Sequence, residues 1–356
     1  MIMSIEMKNF RGFSHLVMDD VKPITLISGM NNVGKSSILD GLFLFFDHIA
    51  PDSFMKLNSF RGFPSLSEPK YLWEPVFYNM DTHNDIQIKL RMEQDTAELR
   101  YSRDDAYVVP KDVDVPPNVR DQFTSSTQSF YTLKFQYRYD GYEENGHLIT
   151  SASGLLRNVN TSLERNRISP LSFTQFINSV LIQNGDVATL LGELELDNKK
   201  DDLIKVLRLI EPSITDIATI ITKNGKAQIY VKINNRLLPI KLAGDGLNKL
   251  LYIIASIMTH PKSLMLIDEI ETGIHYSAYV DFWKVVAATA QKYCCQVIAT
   301  THSYECIVSA ANGLKEISLS DLFCYFRVDR EKDMTRAIRY SNELLRAAID
   351  TNLEVR

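Results

Sequence analysis

The sequence predicts an α/β protein: a central, largely parallel sheet flanked by helices, joined to a mixed or antiparallel β-rich part and a helical lobe. Three observations predict it. The apolar run Ile24-Thr25-Leu26-Ile27 meets a glycine-punctuated loop and then Ser37–Leu44, which has the apolar spacing of a buried helix. Two later runs, Ser263–Ile267 and Gln296–Thr300, also read as strands that end on polar residues, with helical patterns between them. Elsewhere, Ile86–Met92 and Phe130–Tyr139 alternate at period two, as antiparallel strands do.

The bulk properties fit this class. A chain of 356 residues can bury one large core or two modest ones. Its 45% hydrophobic and 23% charged content is that of an ordinary soluble protein. A net charge of −5 gives no global basic field for nucleic acid, so any DNA contact must come from a local patch or a partner. With no apolar stretch of about 18 residues or more and no signal-peptide pattern, the expected location is the cytoplasm, away from membranes. Four cysteines fall in the last quarter (Cys294, Cys295, Cys306, Cys324). Two are adjacent and no C-x-x-C spacing occurs, so buried, reduced thiols are expected rather than a disulfide framework or a metal site with His302.

Along the chain, residues 1–172 are read as a first lobe. Met1–Asn9 is strand-like and ends in Asn9-Phe10-Arg11-Gly12-Phe13, a turn expected to hold its cation between two aromatic rings. Asp47–Asp85 reads as irregular, and Lys111–Pro117 as a loop. Residues 173–240 read as a helical part with a hairpin. Helical spacing is expected from Phe173 to Ile221, carried by Leu190, Leu191 and Leu194 and then by Leu203, Val206, Leu207 and Ile210. Ile229–Ile233 and Leu237–Ile240 pair across Asn234-Asn235. Residues 241–356 form a second lobe, with a helix over Ser277–Tyr293 and a strand over Gln296–Thr300.

The chemistry-bearing motifs lie at the ends of the predicted strands. Gly29-Met30-Asn31-Asn32-Val33-Gly34-Lys35-Ser36 is G-x-x-x-x-G-K-S, a phosphate loop. Such a loop points backbone N–H groups and a helix N-terminus into one small space, which suits a polyphosphate. Lys35 would reach the β- and γ-phosphates of ATP or GTP, and Ser36 would hold Mg²⁺. In Ser263-Leu264-Met265-Leu266-Ile267-Asp268-Glu269 an apolar strand ends in two carboxylates, the Walker B form. Asp268 would accept from Mg²⁺-bound water or Ser36, and Glu269 would orient and deprotonate the attacking water. His302, in Thr301-His302-Ser303, would sense the γ-phosphate. Upstream, Gly244-Asp245-Gly246 opens a helix with Leu247, Leu250, Leu251, Ile254 and Met258 on its apolar face and Asp245 as its expected cap.

With these motifs in this order, the chain resembles the ABC-type ATPases of the structural-maintenance and recombination group. It is most similar to their AAA-15, or overcoming-lysogenization-defect, branch. The resemblance implies a two-lobed head that forms a homodimer, or a higher homo-oligomer, around ATP and Mg²⁺. It implies nucleotide contacts from Asn31, Asn32, Val33, Gly34, Lys35, Ser36 and Ser37, with Arg11 nearby and His275 in the D-loop segment Ile270–His275. Gly244, Asp245 and Gly246 of one subunit would close over the ATP of the other. Two positions depart from the parent signature, Ala243 in place of serine and Asp245 in place of glycine. A carboxylate near a γ-phosphate is unfavourable unless it turns into a helix cap. Gln175 and Gln183 are the candidates for the inter-switch glutamine.

Branch members often carry a C-terminal TOPRIM nuclease. Too little chain follows His302 for one, and the Asp-x-Asp at Asp112 and Asp114 sits in a proline-flanked loop, so no nuclease is expected within this chain. The expected function is an ATP-gated switch and scaffold in bacterial anti-phage defence, acting with a separately encoded TOPRIM-like nuclease or similar effector. The alternative is a recombination or repair ATPase that binds DNA directly through Arg157, Arg165 and Arg167 with Asn158, Asn160 and Asn166. A transporter subunit is disfavoured by the Asn-Phe-Arg-Gly opening and the long insertion between Lys35 and Gly244.

Overall fold

The computed structural model describes residues 1–48, 50, 52–62, 70–107, 131–151, 154–159, 171, 173–178, 182, 184–332, 334–351 and 355. The first elements are β1 (Ile2–Phe10), β2 (Phe13–Asp19), β3 (Ile24–Ser28), α1 (Lys35–Phe46) and α2 (Ser53–Phe60). Six strands follow: β4 (Ile86–Met92), β5 (Thr96–Arg103), β6 (Tyr131–Tyr139), β7 (Tyr142–Ser151), β8 (Gly154–Val159) and β9 (Thr174–Ile177). Next come α3 (Asn184–Leu196), α4 (Lys200–Leu207), β10 (Ile214–Ile221), β11 (Ala227–Ile233), β12 (Arg236–Pro239) and α5 (Asp245–Thr259). The last are β13 (Leu264–Ile267), α6 (Tyr279–Lys292), β14 (Gln296–Thr300), α7 (Tyr304–Glu316), β15 (Phe323–Glu331), β16 (Met334–Tyr340) and α8 (Asn342–Asp350).

These elements fall into two compact units, each built from separate stretches of chain. One comprises Met1–Val21, Asn32–Pro170 and Asp329–Ala337, and the other Lys22–Asn31, Leu171–Val328 and Ile338–Arg356. Residues 173–240 and 241–328, distinct segments in the sequence, share one unit.

The first unit contains a seven-stranded antiparallel sheet in the order β2-β1-β4-β5-β6-β7-β8. Alternation along β4 and β5 puts Ile88, Leu90, Leu99 and Tyr101 inside and leaves Arg91 in water. Helix α1 is buried along nearly its whole length, with Phe45 edge-on to Tyr137 of β6 at a centroid distance of 5.6 Å. Within the stretch read as irregular, Ser53–Phe60 is helical, and α2 buries Phe54 and Leu57 there.

A six-stranded sheet has the order β16-β15-β3-β14-β13-β9; its parallel strands β3, β14, β13 and β9 and most of β15 belong to the second unit. Strands β3, β13 and β14 are buried at every residue. That is why they read as unbroken apolar runs rather than as alternating ones. A smaller sheet, β10-β11-β12, lies in the same unit, and α3 packs on β11. Its hairpin turns at Asn234 (φ 47°) and Asn235 (φ 63°), both left-handed, as a two-residue turn between twisted strands requires.

The expected helical stretch of 173–221 is corrected at both ends. Helices occupy only Asn184–Leu196 and Lys200–Leu207; Thr174–Ile177 is a strand paired with β13, and Ile214–Ile221 a strand paired with β11. Ile214 and Ile217 are three apart, a helical interval, yet both are buried because a register shift between Ile214 and Asp216 adds a residue to the strand. All four cysteines are free, with Cys294 exposed and the other three buried. No helix among the described residues is long and apolar enough to cross a membrane.

Candidate functional site

The sequence-predicted residues form two groups along the chain; Gly29–Asn31 of the phosphate loop belong to the second unit and Asn32–Ser37 to the first. In the first, the chain leaves β3 and turns through Gly29 (φ 143°), Asn32 (φ 63°) and Gly34 (φ 102°) before α1 begins at Lys35. Gly34 is required twice over. Its φ lies in the region that L side chains rarely adopt, and a Cβ there would come within 2.5 Å of the Phe13 ring. Helix α1 has no side-chain cap and no acidic residue in its first turn. Its N-terminal amides and the positive end of its dipole therefore suit an anion. Lys35 is buried, Ser36 and Ser37 are half-buried, Val33 is buried, and Asn31 and Asn32 are exposed.

Arg11, whose turn sequence suggested a place between two aromatic rings, pairs with a carboxylate. Its backbone N–H donates to the Val76 carbonyl at 2.7 Å, and its Nε lies 3.1 Å from Oδ2 of Asp40 on α1. Arg61 donates to the same oxygen at 2.6 Å. Asp40 is wholly buried, so the carboxylate draws in guanidinium groups that rings alone could not neutralise. Burial lowers the Arg11 pKa, and the Asp40 charge opposes that shift.

In the second group, Asp268 and Glu269 follow the C-terminal end of β13. The Glu269 N–H donates to Thr300 Oγ1 at 2.9 Å, and the Thr300 hydroxyl donates to Asp268 Oδ1 at 2.6 Å. Strand β14 thus fixes both carboxylate residues through one threonine. Glu269 takes a left-handed conformation (φ 47°), which turns the chain sharply at the strand end. Its exposed carboxylate accepts from Thr272 Oγ1 at 3.2 Å and lies 3.9 Å from His302 Nε2. His302 is anchored by its backbone N–H, which donates to Glu271 Oε1 at 2.7 Å. Asp268, Glu269 and His302 are therefore brought together.

The glycine segment adjoins them. Gly244 (φ 127°) occupies the cap position of α5 and Asp245 is the first helical residue, so Asp245 does not cap the helix as expected. The left-handed residue needed at that entry is a glycine, and it displaces the aspartate by one position. Gly246 packs on the Gly273 backbone, where a Cβ would meet the carbonyl oxygen at 2.5 Å. His275 is exposed, pairs with Ser277 Oγ at 2.8 Å and caps the short turn Tyr276–Ala278.

Lys249 was not visible as a site residue. It lies one turn into α5, is 1% exposed, and donates from Nζ to the Glu269 carbonyl at 2.5 Å. Burial pushes its pKa down to about 8, against the pull of Glu271, Glu269 and Asp268. A lysine two residues from Leu247 and one from Leu250 reads as a solvated position, and nothing in the spacing marks it otherwise. Gln175 sits on β9 with its amide donating to Tyr252 Oη at 3.0 Å. Gln183, Asp112, Asp114, Asn160, Arg165, Asn166 and Arg167, and the side chains of Arg157 and Asn158, lie outside the described residues.

The donor types, each taken in its own unit, are those that Mg²⁺-nucleotide takes. Among the described residues no cluster of three or more His, Cys, Asp or Glu side chains could hold a metal alone. A hydroxyl (Ser36) and a buried carboxylate (Asp268) are hard oxygen donors, and Mg²⁺ characteristically takes one or two such ligands together with substrate phosphates.

The family model described as "AAA domain, putative AbiEii toxin, Type IV TA system" matches residues 24–307. A Helicobacter pylori protein named ATP/GTP phosphatase is 26% identical, with 93% of this chain and 94% of that protein covered. An uncharacterized protein of Methanocaldococcus jannaschii is 24% identical over 65% of this chain and 95% of its own length. Among solved structures, an SMC head bound to the C-winged helix domain of ScpA superposes with a TM-score of 0.51 at 14% identity, covering 96% of this chain and 98% of that one. An SMC head with an extended coiled coil, bound to the C-terminal domain of ScpA derived from Pyrococcus furiosus, gives 0.51 at 11% identity, with 99% of each chain covered. At such identities these two likenesses speak to the α/β head fold alone.

Proposed function

This chain belongs to the AAA-domain family just described, and we propose that it is an ATP-hydrolysing switch that dimerises around Mg²⁺-ATP and reports its state to a separately encoded effector. ATP hydrolysis is the activity that the family and the relative named ATP/GTP phosphatase support. The observation that carries the reading is the cluster at the end of β13 and β14, where one threonine fixes Asp268 and Glu269 and His302 lies 3.9 Å from Glu269.

In this proposal the Gly29–Ser36 loop cradles the phosphates, with the Lys35 ammonium on the β- and γ-phosphates and the Asn31–Ser37 backbone around them. Mg²⁺, held by Ser36 and Asp268, would supply charge neutralisation on those phosphates. Glu269 takes the proton of the attacking water, and His302, hydrogen-bonded through Glu271, answers to the γ-phosphate. Gly244–Gly246 and His275 serve the ATP of a second copy. ATP can shift an open–closed equilibrium only by its differential affinity for the two states, and contacts made to both copies at once supply that difference. Within the family we assign the chain to the AAA-15, overcoming-lysogenization-defect-like branch. Anti-phage defence, with a TOPRIM-like nuclease as effector, rests on fold-level association.

The test is the solution mass of Glu269→Gln with and without Mg²⁺-ATP, measured by light scattering on a size column. The expected result is a monomer-to-dimer shift with ATP, stable because hydrolysis is slowed about 10²–10⁴-fold. A variant that turns over at the wild-type rate removes Glu269 as the base, and one that binds ATP without changing mass removes the dimer switch.

A further inference from the structure

Lys249 is the one buried cation on the helix that the glycine segment opens, and it points at the backbone of the proposed catalytic glutamate. Four hydrogen bonds define the Glu269 backbone. Its N–H donates to Thr300 Oγ1 at 2.9 Å, its carbonyl accepts from Lys249 Nζ at 2.5 Å and from the Thr272 N–H at 3.0 Å, and the next amide, Ile270 N–H, donates to the Thr300 carbonyl at 3.0 Å. A residue at φ 47° that is not glycine persists only where its surroundings fix it. Thr300 fixes one side of the peptide from β14; the Thr272 amide closes the turn on the other side, and Lys249 is the contact that ties that side to α5.

The chemistry of the group matters as much as its reach. A neutral donor in that position could hold the carbonyl, but Asp268, Glu269 and Glu271 sit close enough to raise the Lys249 pKa by their charge. Only a cation both holds the turn and offsets the repulsion among three carboxylates within four residues of one another. Because the lysine belongs to α5, moving the start of that helix moves the ammonium, and with it the carbonyl that sets the direction of the Glu269 side chain.

We propose that Lys249 is a positioning residue, which ties the glycine segment Gly244–Gly246 to the Walker B turn and aims the Glu269 carboxylate for water activation. This rests on Glu269 being the base. Nucleotide binding needs none of these contacts, so the effect falls on turnover.

A double-mutant cycle tests it with Lys249→Met, Glu269→Gln and the pair, each assayed for kcat, KM and ATP affinity. Lys249→Met is expected to lower kcat about 10²-fold while ATP affinity stays within about 3-fold. The double variant is expected to be no slower than Glu269→Gln alone, because a misaimed base and an absent base cost the same step. Multiplied losses in the double variant, or a wild-type kcat in Lys249→Met, overturn the proposal. A Glu269→Gln variant of unchanged turnover overturns the parent reading instead. Should Lys249→Met not fold, Lys249→Gln enters the same cycle. Amine-reactive footprinting of the wild-type protein tests the geometry without substitution. Lys249 should label at least about 10-fold more slowly than exposed Lys241, and equal labelling overturns the contact.

Discussion

Gly246 lies against Gly273, so near that a β-carbon on Gly246 would stand 2.5 Å from the Gly273 carbonyl oxygen. The atom in the way is backbone, which cannot swing aside as a side chain can. Gly246→Ala is therefore expected to destabilise the second unit by about 1–3 kcal/mol, as overpacking does, and to lower the urea midpoint with the m-value unchanged. An unaltered midpoint would show that the two segments part easily. The same contact bears on the partner-facing role expected for Gly246. Any side chain there strains its own subunit first, so loss of dimerisation in such a variant does not report on the neighbour alone.

Gly34→Ala should act on the phosphate loop. The new methyl group meets the Phe13 ring and a φ of 102°, and forcing such a conformation costs about 1–3 kcal/mol. The loop relaxes out of shape, and calorimetry is expected to find ATP binding weakened by about 10-fold or more. Pairing it with Phe13→Ala separates the two causes, because the ring clash is relieved and the backbone strain stays.

Lys35→Ala removes a charged donor from the proposed phosphates. Hydrogen bonds of that kind contribute about 1.5–3 kcal/mol each, so ATP affinity should fall by about 10–150-fold in a calorimetric titration. Unchanged affinity would sink the phosphate-loop assignment. Nucleotide-dependent change in mass should vanish in the same variant.

Asp40→Ala should be costly for folding. It leaves the guanidinium of Arg11 in a buried place without the carboxylate 3.1 Å away, and breaking a buried pair from one side costs about 3–5 kcal/mol. Adding Arg11→Met to Asp40→Ala should return part of that loss, as read from denaturant midpoints. A double variant less stable than Asp40→Ala would mean that Arg11 contributes through packing rather than charge.

Much of the second unit's sheet was legible because strands buried on both faces spell themselves as apolar runs. Leu264–Ile267 and Gln296–Thr300 end at residues whose chemistry marks the strand terminus. Strand β9 escaped notice because Thr174-Gln175-Phe176-Ile177 is short and half polar, and only its pairing with β13 makes it a strand. The carboxylates and His302 were legible as types at strand ends. The ion pair of Arg11 escaped notice because its partner, Asp40, lies on another element, and local sequence offered only the neighbouring rings. Lys249 was invisible for a related reason. A lysine on a helix is ordinarily solvated, and its burial is decided by a chain turn twenty residues away.

Strand β3 carries a consequence for how the chain is made. It lies between β14 and β15, and its Thr25 touches Cys324, 299 positions further on. At about 5–20 residues per second, synthesis takes on the order of 15–60 s to bring that neighbour out of the ribosome. The earliest-born strand of the sheet thus waits longest for its partners, with two apolar faces and two open edges exposed to other nascent chains. Yield in a cell should follow chaperone supply and translation speed as closely as it follows the stability of the finished fold.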